Sequence, residues 1–141
     1  MNFRLTLGDW DTQRALAQEI RYEVFVLEQN VPVELEWDEM DAVCLHAIVF
    51  DSQDRPIATG RLLPDGHIGR MAVRAHARGA GVGAALLTAL MQQAQRRGDS
   101  AVLLNAQVQA EAYYARFGFR REGAEFIEAD IPHIQMRHVF P

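Results

Sequence analysis

Gly66-His67-Ile68-Gly69-Arg70-Met71-Ala72-Val73-Arg74-Ala75-His76-Ala77-Arg78-Gly79-Ala80-Gly81-Val82-Gly83-Ala84-Ala85-Leu86-Leu87 passes from a strand through a glycine-rich turn into a helix, and the fold is decided there. From His67 to Val73 the apolar residues Ile68, Met71 and Val73 give a short, imperfect strand pattern. After Val73 the pattern breaks. From Val82 onward Leu86, Leu87, Leu90, Met91 and Ala94 recur at three- and four-residue steps, which predicts a helix from near Gly79 to Arg96-Arg97-Gly98. Gly79, Gly81 and Gly83 fall where its first turn should be, although glycine costs a helix about 1 kcal/mol against alanine. Their use is close approach. Without side chains, the unpartnered N–H groups at the positive end of the helix dipole can meet a phosphate or pyrophosphate, and Arg78 adds a fixed positive charge.

Spacing separates the phosphate-binding loops. A nucleoside-triphosphate loop needs Gly-Lys-Ser/Thr, whereas Gly83 is followed by Ala84-Ala85. The dinucleotide fingerprint is met formally by Gly79, Gly81 and Ala84, but residues 74–78 intervene after the strand and the next strand ends at Asn105-Ala106-Gln107 without its acid. A third pattern, Arg/Gln-x-x-Gly-x-Gly/Ala, is met by Arg78, Gly81 and Gly83. On these residues the chain resembles the GNAT superfamily of acyl-coenzyme A-dependent N-acetyltransferases. The strand with Met71-Ala72-Val73, the Asn105 strand and Ala112-Tyr113-Tyr114-Ala115-Arg116-Phe117-Gly118-Phe119 match that superfamily's order, so motifs cover the second half of the chain. Within it, Arg21-Tyr22-Glu23-Val24-Phe25-Val26, Glu28-Gln29-Asn30-Val31-Pro32, Asp38, Asp41 and His46 resemble the ElaA-like branch.

The resemblance implies a single α/β domain over residues 1–141, with a mixed, mostly antiparallel sheet of about six or seven strands flanked by about four helices. The sheet is splayed at its central parallel pair, His67–Val73 and Ala101–Gln107, where pantetheine lies. It implies acetyl-coenzyme A as cosubstrate, held by Met71, Ala72 and Val73, by Arg78, Gly79, Ala80, Gly81, Val82, Gly83 and Ala84, and by Asn105 and Tyr114. The partner is an amine-bearing acceptor, a small molecule or a protein.

Composition agrees. With 141 residues, 49% apolar and 23% charged, the chain has the size and balance of one globular domain. No apolar run approaches the ~20 residues of a membrane span and no signal-peptide core follows Met1, so a cytoplasmic protein without a membrane partner is expected. A net charge of −5 argues against nucleic acid as partner. Cys44 is the single cysteine, which excludes an internal disulfide and a cysteine metal cluster. Should the chain associate, a homodimer is the expected form.

In order, Phe3, Leu5 and Leu7 predict a strand ended by Gly8, and Asp9 or Asp11 caps a helix through Glu28 with Trp10 packed at its entry. Val31-Pro32 stops it. The acidic stretch from Val33 to Asp41 fits a second helix or an extended loop, either as a solvated face with Trp37 tucked in or as an acidic wall for a cationic amine. Strands follow over Val43–Phe50, Ile57–Leu63 and Ala101–Asn105, a short helix over Gln109–Phe117 closed by Gly118, and last strands at Phe119-Arg120-Arg121 and Ile131–Val139. Pro132 predicts a break or bulge.

For chemistry, the proton donor to the departing thiolate is assigned to Tyr114. Ala110, Tyr113 and Phe117 share one helical stripe, expected to face the core, and Tyr114 lies a step around it. For the base, Glu28 at the end of the first helix and His133, which resembles a histidine of the ElaA-like branch, are the candidates. His46 fits a structural histidine better, and with His133 it lacks further ligands for a metal. Cys44 between Val43 and Leu45 fits a small core residue, which favours direct attack in a ternary complex over an acyl-cysteine route. A regulatory acyl-coenzyme A-binding module is the alternative to an enzyme.

Overall fold

In the computed structural model, which describes residues 2–141, the alternating Phe3, Leu5 and Leu7 lie on strand β1 (Phe3–Gly8). Asp9 then caps helix α1 (Trp10–Arg21), its carboxylate accepting the Thr12 N–H at 2.9 Å. Helical structure does continue to Glu28, but its turns widen: Tyr22–Glu28 is π-helical, closed by the Gln29 N–H on the Val24 carbonyl. The acidic stretch is one turn of helix, α2 (Val33–Glu36), followed by a 3-10 turn over Glu39–Val43. It is not simply a solvated face. Glu36 and Asp41 are buried while Trp37 is 69% exposed, because the buried guanidinium groups of Arg21 and Arg61 draw the carboxylates in.

Strands β2 (Leu45–Asp51), β3 (Pro56–Leu62) and β4 (Ile68–Val73) join β1 in a four-stranded antiparallel sheet, each beginning one or two residues from its expected start. Helix α3 (Val82–Arg96) follows, and β5 (Ala101–Gln107) opens a second sheet. After a 3-10 turn over Val108–Ala110, helix α4 (Glu111–Ala115) is shorter than its pattern and ends before the left-handed Gly118. Strands β6 (Arg120–Glu128) and β7 (Ile131–Val139) complete that sheet in the order β5-β7-β6. Pro132 makes no break. It sits one residue before the β5 pairing begins at His133, where its missing N–H interrupts no bond to that strand, and the irregularity falls in β6 between Glu122 and Phe126, around left-handed Gly123.

Gly60 faces Leu86 and Leu90 of α3, whereas Arg61 points the other way to Asp41, which Arg21 of α1 also binds. Helices α1 and α3 therefore cover opposite faces of β3. Leu86, Leu87, Leu90 and Ala94 of α3 pack with Ile57 and Leu62, and with Val102, Leu104, Ile134 and Met136 of the second sheet, in one buried core. This core spans both sheets although their backbones barely touch. The parallel neighbours β4 and β5 meet at their starts, through a His67–Leu103 bridge and the Leu103 N–H on the Gly66 carbonyl at 3.0 Å, and past that point no ladder joins them among the described residues. The single α/β layer is thus split into a V.

Candidate active site

One arm of the V is prepared for a ligand by its own backbone. The Arg74 N–H donates to Ile57 on β3 at 2.9 Å, so strand alternation turns the Val73 N–H and carbonyl to the free edge facing β5. Upstream, Thr59 pairs with Ala72 and Arg61 with Gly69, which leaves one extra residue in β4. Arg70 takes up this bulge at φ 48°, an uncommon conformation for a side-chain-bearing residue.

Past the end of β4 the chain turns back over Ala75–Ala77 and enters α3, which starts at Val82 rather than near Gly79. The reason is conformational: Gly79 and Gly81 have φ of 84° and 80°, and Gly81 is the left-handed N-cap of α3 with no side chain to satisfy the helix start. The first helical bond is Ala85 N–H to Gly81, which leaves the amides of Val82, Gly83 and Ala84 without an intrahelical acceptor. A Cβ at Gly79 or Gly81 would meet nothing within 4 Å, so the cradle is open toward its free amides. Arg78 closes one side: its Nε donates to the Val73 carbonyl at 2.9 Å, and its two Nη atoms grip the Glu28 carboxylate at 2.5 and 2.7 Å. That cradle suits a phosphate ester.

Between the arms lies a cavity of about 570 Å³, lined by Gly69, Arg70 and Met71 of β4, Leu104, Asn105 and Gln107 of β5, Tyr114 of α4, and Glu128, Ile131 and His133 of the β6–β7 hairpin. Phe25, Gln29, Val31, Leu35 and Glu36 close it from the α1–α2 side. The cavity thus brings together Met71, Asn105, Tyr114 and His133 from the sequence assignment, while Arg78 and the glycines stand at the α3 end. Glu28 is not among its lining residues. Its carboxylate stays with Arg78, whose hydrogen bonds hold it below the usual carboxylate range and leave it a poor proton acceptor while the pair lasts.

Tyr114 packs edge-on against Tyr113 and Phe119, with ring centroids 5.2 and 6.2 Å away. Burial, with Tyr113 adding to it, pushes its phenol up, so it keeps its proton near neutrality. Tyr113, expected in the core, is instead 37% exposed, and its hydroxyl lies 3.8 Å from the Cβ position of Gly83, at the cradle. Tyr114 takes the core-facing direction while still lining the cavity.

His133 is nearly buried, stacked on Phe126 at 5.9 Å, with Nδ1 2.7 Å from the Ile131 carbonyl. A carbonyl only accepts, so Nδ1 carries a proton and donates it to Ile131, which leaves Nε2, 3.8 Å from Glu128, as the ring nitrogen free to exchange one. His46 is spent elsewhere: buried under Trp10, it places Nε2 2.9 Å from the Asp41 carbonyl, and burial lowers its pKa. The Cys44 thiol, buried off the cavity, is pushed up to about 11 by burial, which disfavours the thiolate. Among the described residues no group of three or more His, Cys, Asp or Glu could hold a metal, and no helix is long and apolar enough to cross a membrane.

Arg61, Arg70 and Glu128 carry no local sequence signal of their place in the site. Nothing in the residues around Arg70 marks its bulge, and the partners of Arg61 lie 20 and 23 residues away.

The comparisons with known proteins agree with this geometry. The family model described as an acetyltransferase (GNAT) domain matches residues 12–140. An uncharacterized N-acetyltransferase of Bacillus subtilis, YjcF, is 42% identical over 121 residues, covering 83% of this chain and 86% of that protein. The crystal structure of an acyl-CoA N-acyltransferase from Pseudomonas aeruginosa superposes with a TM-score of 0.87 at 35% identity, over 98% of this chain and 100% of that one. Escherichia coli ElaA superposes with a TM-score of 0.85 at 27% identity, over 97% and 99%. The chain belongs to the GNAT acetyltransferase family. It is an acyl-CoA-dependent N-acetyltransferase in that general sense.

Proposed function

We propose that the chain moves an acetyl group from acetyl-coenzyme A to a primary amine by direct attack within a ternary complex. The observation that carries this is the opening between β4 and β5, whose free-edge Val73 amide and β4 bulge lead from the α3 cradle into a cavity lined by both Tyr114 and His133. The residues present fit the cosubstrate: the amides of Val82, Gly83 and Ala84 with Arg78 for the pyrophosphate, the β4 edge at Met71–Val73 for the pantetheine arm, and Asn105 across from it. When bound, acetyl-coenzyme A supplies the acetyl group already activated as a thioester.

The chain's own groups then move two protons. His133, its ring fixed by the Nδ1 bond to Ile131, takes a proton from the acceptor nitrogen at Nε2. As nitrogen bonds to the carbonyl carbon the carbon–sulfur bond breaks, and the Tyr114 hydroxyl, kept protonated by burial, gives its proton to sulfur. A free β4 amide is available to the carbonyl oxygen as charge gathers there. Glu28 works at the rim, holding Arg78 until the pyrophosphate replaces it.

Calorimetric titration with acetyl-coenzyme A, with NAD and ATP as controls, followed by thiol release over an amine panel, tests the proposal. Tyr114→Phe is expected to lower kcat by about 100-fold or more while the dissociation constant for coenzyme A stays within about threefold. Undiminished turnover would remove Tyr114 from the proton path, and preference for NAD would overturn the assignment of the cradle.

A further inference from the structure

On the acceptor wall the charges balance in number but not in pairing. Three arginines, Arg21, Arg61 and Arg70, stand among Glu36, Asp38 and Asp41 on the α1 face of β3 and β4. Arg21 is fully engaged, bonding the Glu36 carboxylate and both Asp41 oxygens, the latter at 2.9 and 3.1 Å. Arg61 takes the other short contacts, to Asp41 at 2.8 Å and to Asp38 at 2.6 Å. Little is left for Arg70. Its Nη2 reaches Asp38 and the Leu35 carbonyl only at 3.5 Å, the outer limit of a hydrogen bond, and its Nε is buried without a partner.

A guanidinium cannot shed its proton to escape such a setting, and burying its donors unpaired is unfavourable. Burial, with Arg61 and Arg21 nearby, makes the charged form of Arg70 harder to hold. The residue is nevertheless kept there by a backbone at φ 48°, a conformation that aims a side chain where a regular strand would not. Arg70 lines the same cavity as His133, Glu128 and Tyr114.

We propose that Arg70 is the acceptor's anchor, and that the acceptor is an amino-carboxylate: a small molecule of amino-acid type whose carboxylate pairs with Arg70 while its amine lies at His133. This rests on the cavity being the acceptor half of an acetyl-transfer site. A planar carboxylate matches the donor fork of one guanidinium and brings one negative charge. A phosphate monoester would bring a second charge against Glu36 and Asp38, whose arginines are already shared. A simple cationic amine finds no free acid on that wall, since Glu36, Asp38 and Asp41 all have arginine partners. Glu128, the acid without one, stands across the cavity beside His133, where it suits the amine end of the acceptor and leaves Arg70 unmatched. At a protein N-terminus the α-carboxylate has become a neutral amide, which brings no charge to Arg70.

The test uses the full chain loaded with coenzyme A and titrated with product-like ligands: N-acetyl amino acids against the corresponding N-acetyl amino-acid amides. Thiol release with the free amino acids and their amides is measured in parallel. The expected result is that carboxylates bind about 10- to 100-fold more tightly than amides. In Arg70→Gln that ratio falls to near one, and Arg70→Lys keeps part of it, with coenzyme A affinity and melting temperature near those of the parent. Equal binding of carboxylates and amides, tighter binding of the amides, or a ratio untouched in Arg70→Gln overturns the proposal. Failure of coenzyme A itself to bind overturns the acetyl-transfer reading instead, so the two failures are distinguishable. Should Arg70→Gln fail to fold, the carboxylate-to-amide ratio of the parent protein decides alone.

Discussion

Glu28 and Arg78 form an ion pair beside the α3 cradle. Both side chains are about two-fifths exposed, so their ion pair contributes little to stability, yet it occupies the guanidinium that flanks the cradle. Glu28→Gln is therefore expected to tighten coenzyme A binding about 2- to 5-fold, the scale of an exposed ion pair, and to leave kcat largely intact. Calorimetry and initial rates together check this, and a kcat loss near 100-fold with unchanged affinity would return Glu28 to the role of base. His46 carries a different prediction. Its pKa is lowered from 6.5 chiefly by burial, so the unfolded chain binds its proton more readily than the native one. Stability from this residue is complete above pH 6.5 and is lost as the pH falls toward the lowered native value, at no more than about 1.4 kcal/mol per pH unit. Urea midpoints across pH 7.5 to 5 should fall less steeply in His46→Gln, and parallel curves would dismiss the assignment.

At the scale of elements, the fit of α3 on the first sheet turns on Gly60. A Cβ there would stand 3.0 Å from Met71 and 3.1 Å from Leu90, with Leu86 at 3.4 Å, so helix and strand approach as closely as a bare backbone permits. Gly60→Val is expected to destabilise the protein by about 1–3 kcal/mol and, by moving Met71, to weaken coenzyme A binding as well. Thermal denaturation and calorimetry measure the two effects, and a variant as stable as the parent would show slack in this layer. The α3 element was legible because its signals are local: glycines at a helix start, Arg78, and apolar residues at helical steps. The π-helical Tyr22–Glu28 was not, since apolar spacing from Ile20 to Leu27 suits an ordinary helix nearly as well. The acidic stretch failed for a related reason. Whether Glu36 and Asp41 are solvated or buried depends on Arg21 and Arg61, which folding brings from 15 to 20 residues away. The exchange of Tyr113 and Tyr114 turned on which face of so short a helix meets the core, and in Glu111–Ala115 too few apolar positions recur to fix it.

At the scale of the molecule, two sheets share one core but, among the described residues, meet through backbone only around Gly66, His67 and Leu103. The facing edges of β4 and β5 beyond that bridge are not joined to one another by a ladder, and their amides there lack the protection that pairing gives the other strands. A ligand lying between them replaces water on those edges and joins the two sheets. Coenzyme A at 100 times its dissociation constant should therefore add about 2.7 kcal/mol to stability and raise the melting temperature by about 5–10 °C. Mass action alone predicts that rise wherever the ligand binds. Hydrogen exchange locates it: protection should grow most at the Val73 amide and at the Val82, Gly83 and Ala84 amides of the α3 start, with little change in β1, β2 or β6. Slowing spread evenly over all strands would mean that binding stabilises the fold globally without bridging the V. Protection concentrated at the β6–β7 hairpin would place coenzyme A on the acceptor side, and the roles of the two halves of the cavity would then have to be exchanged.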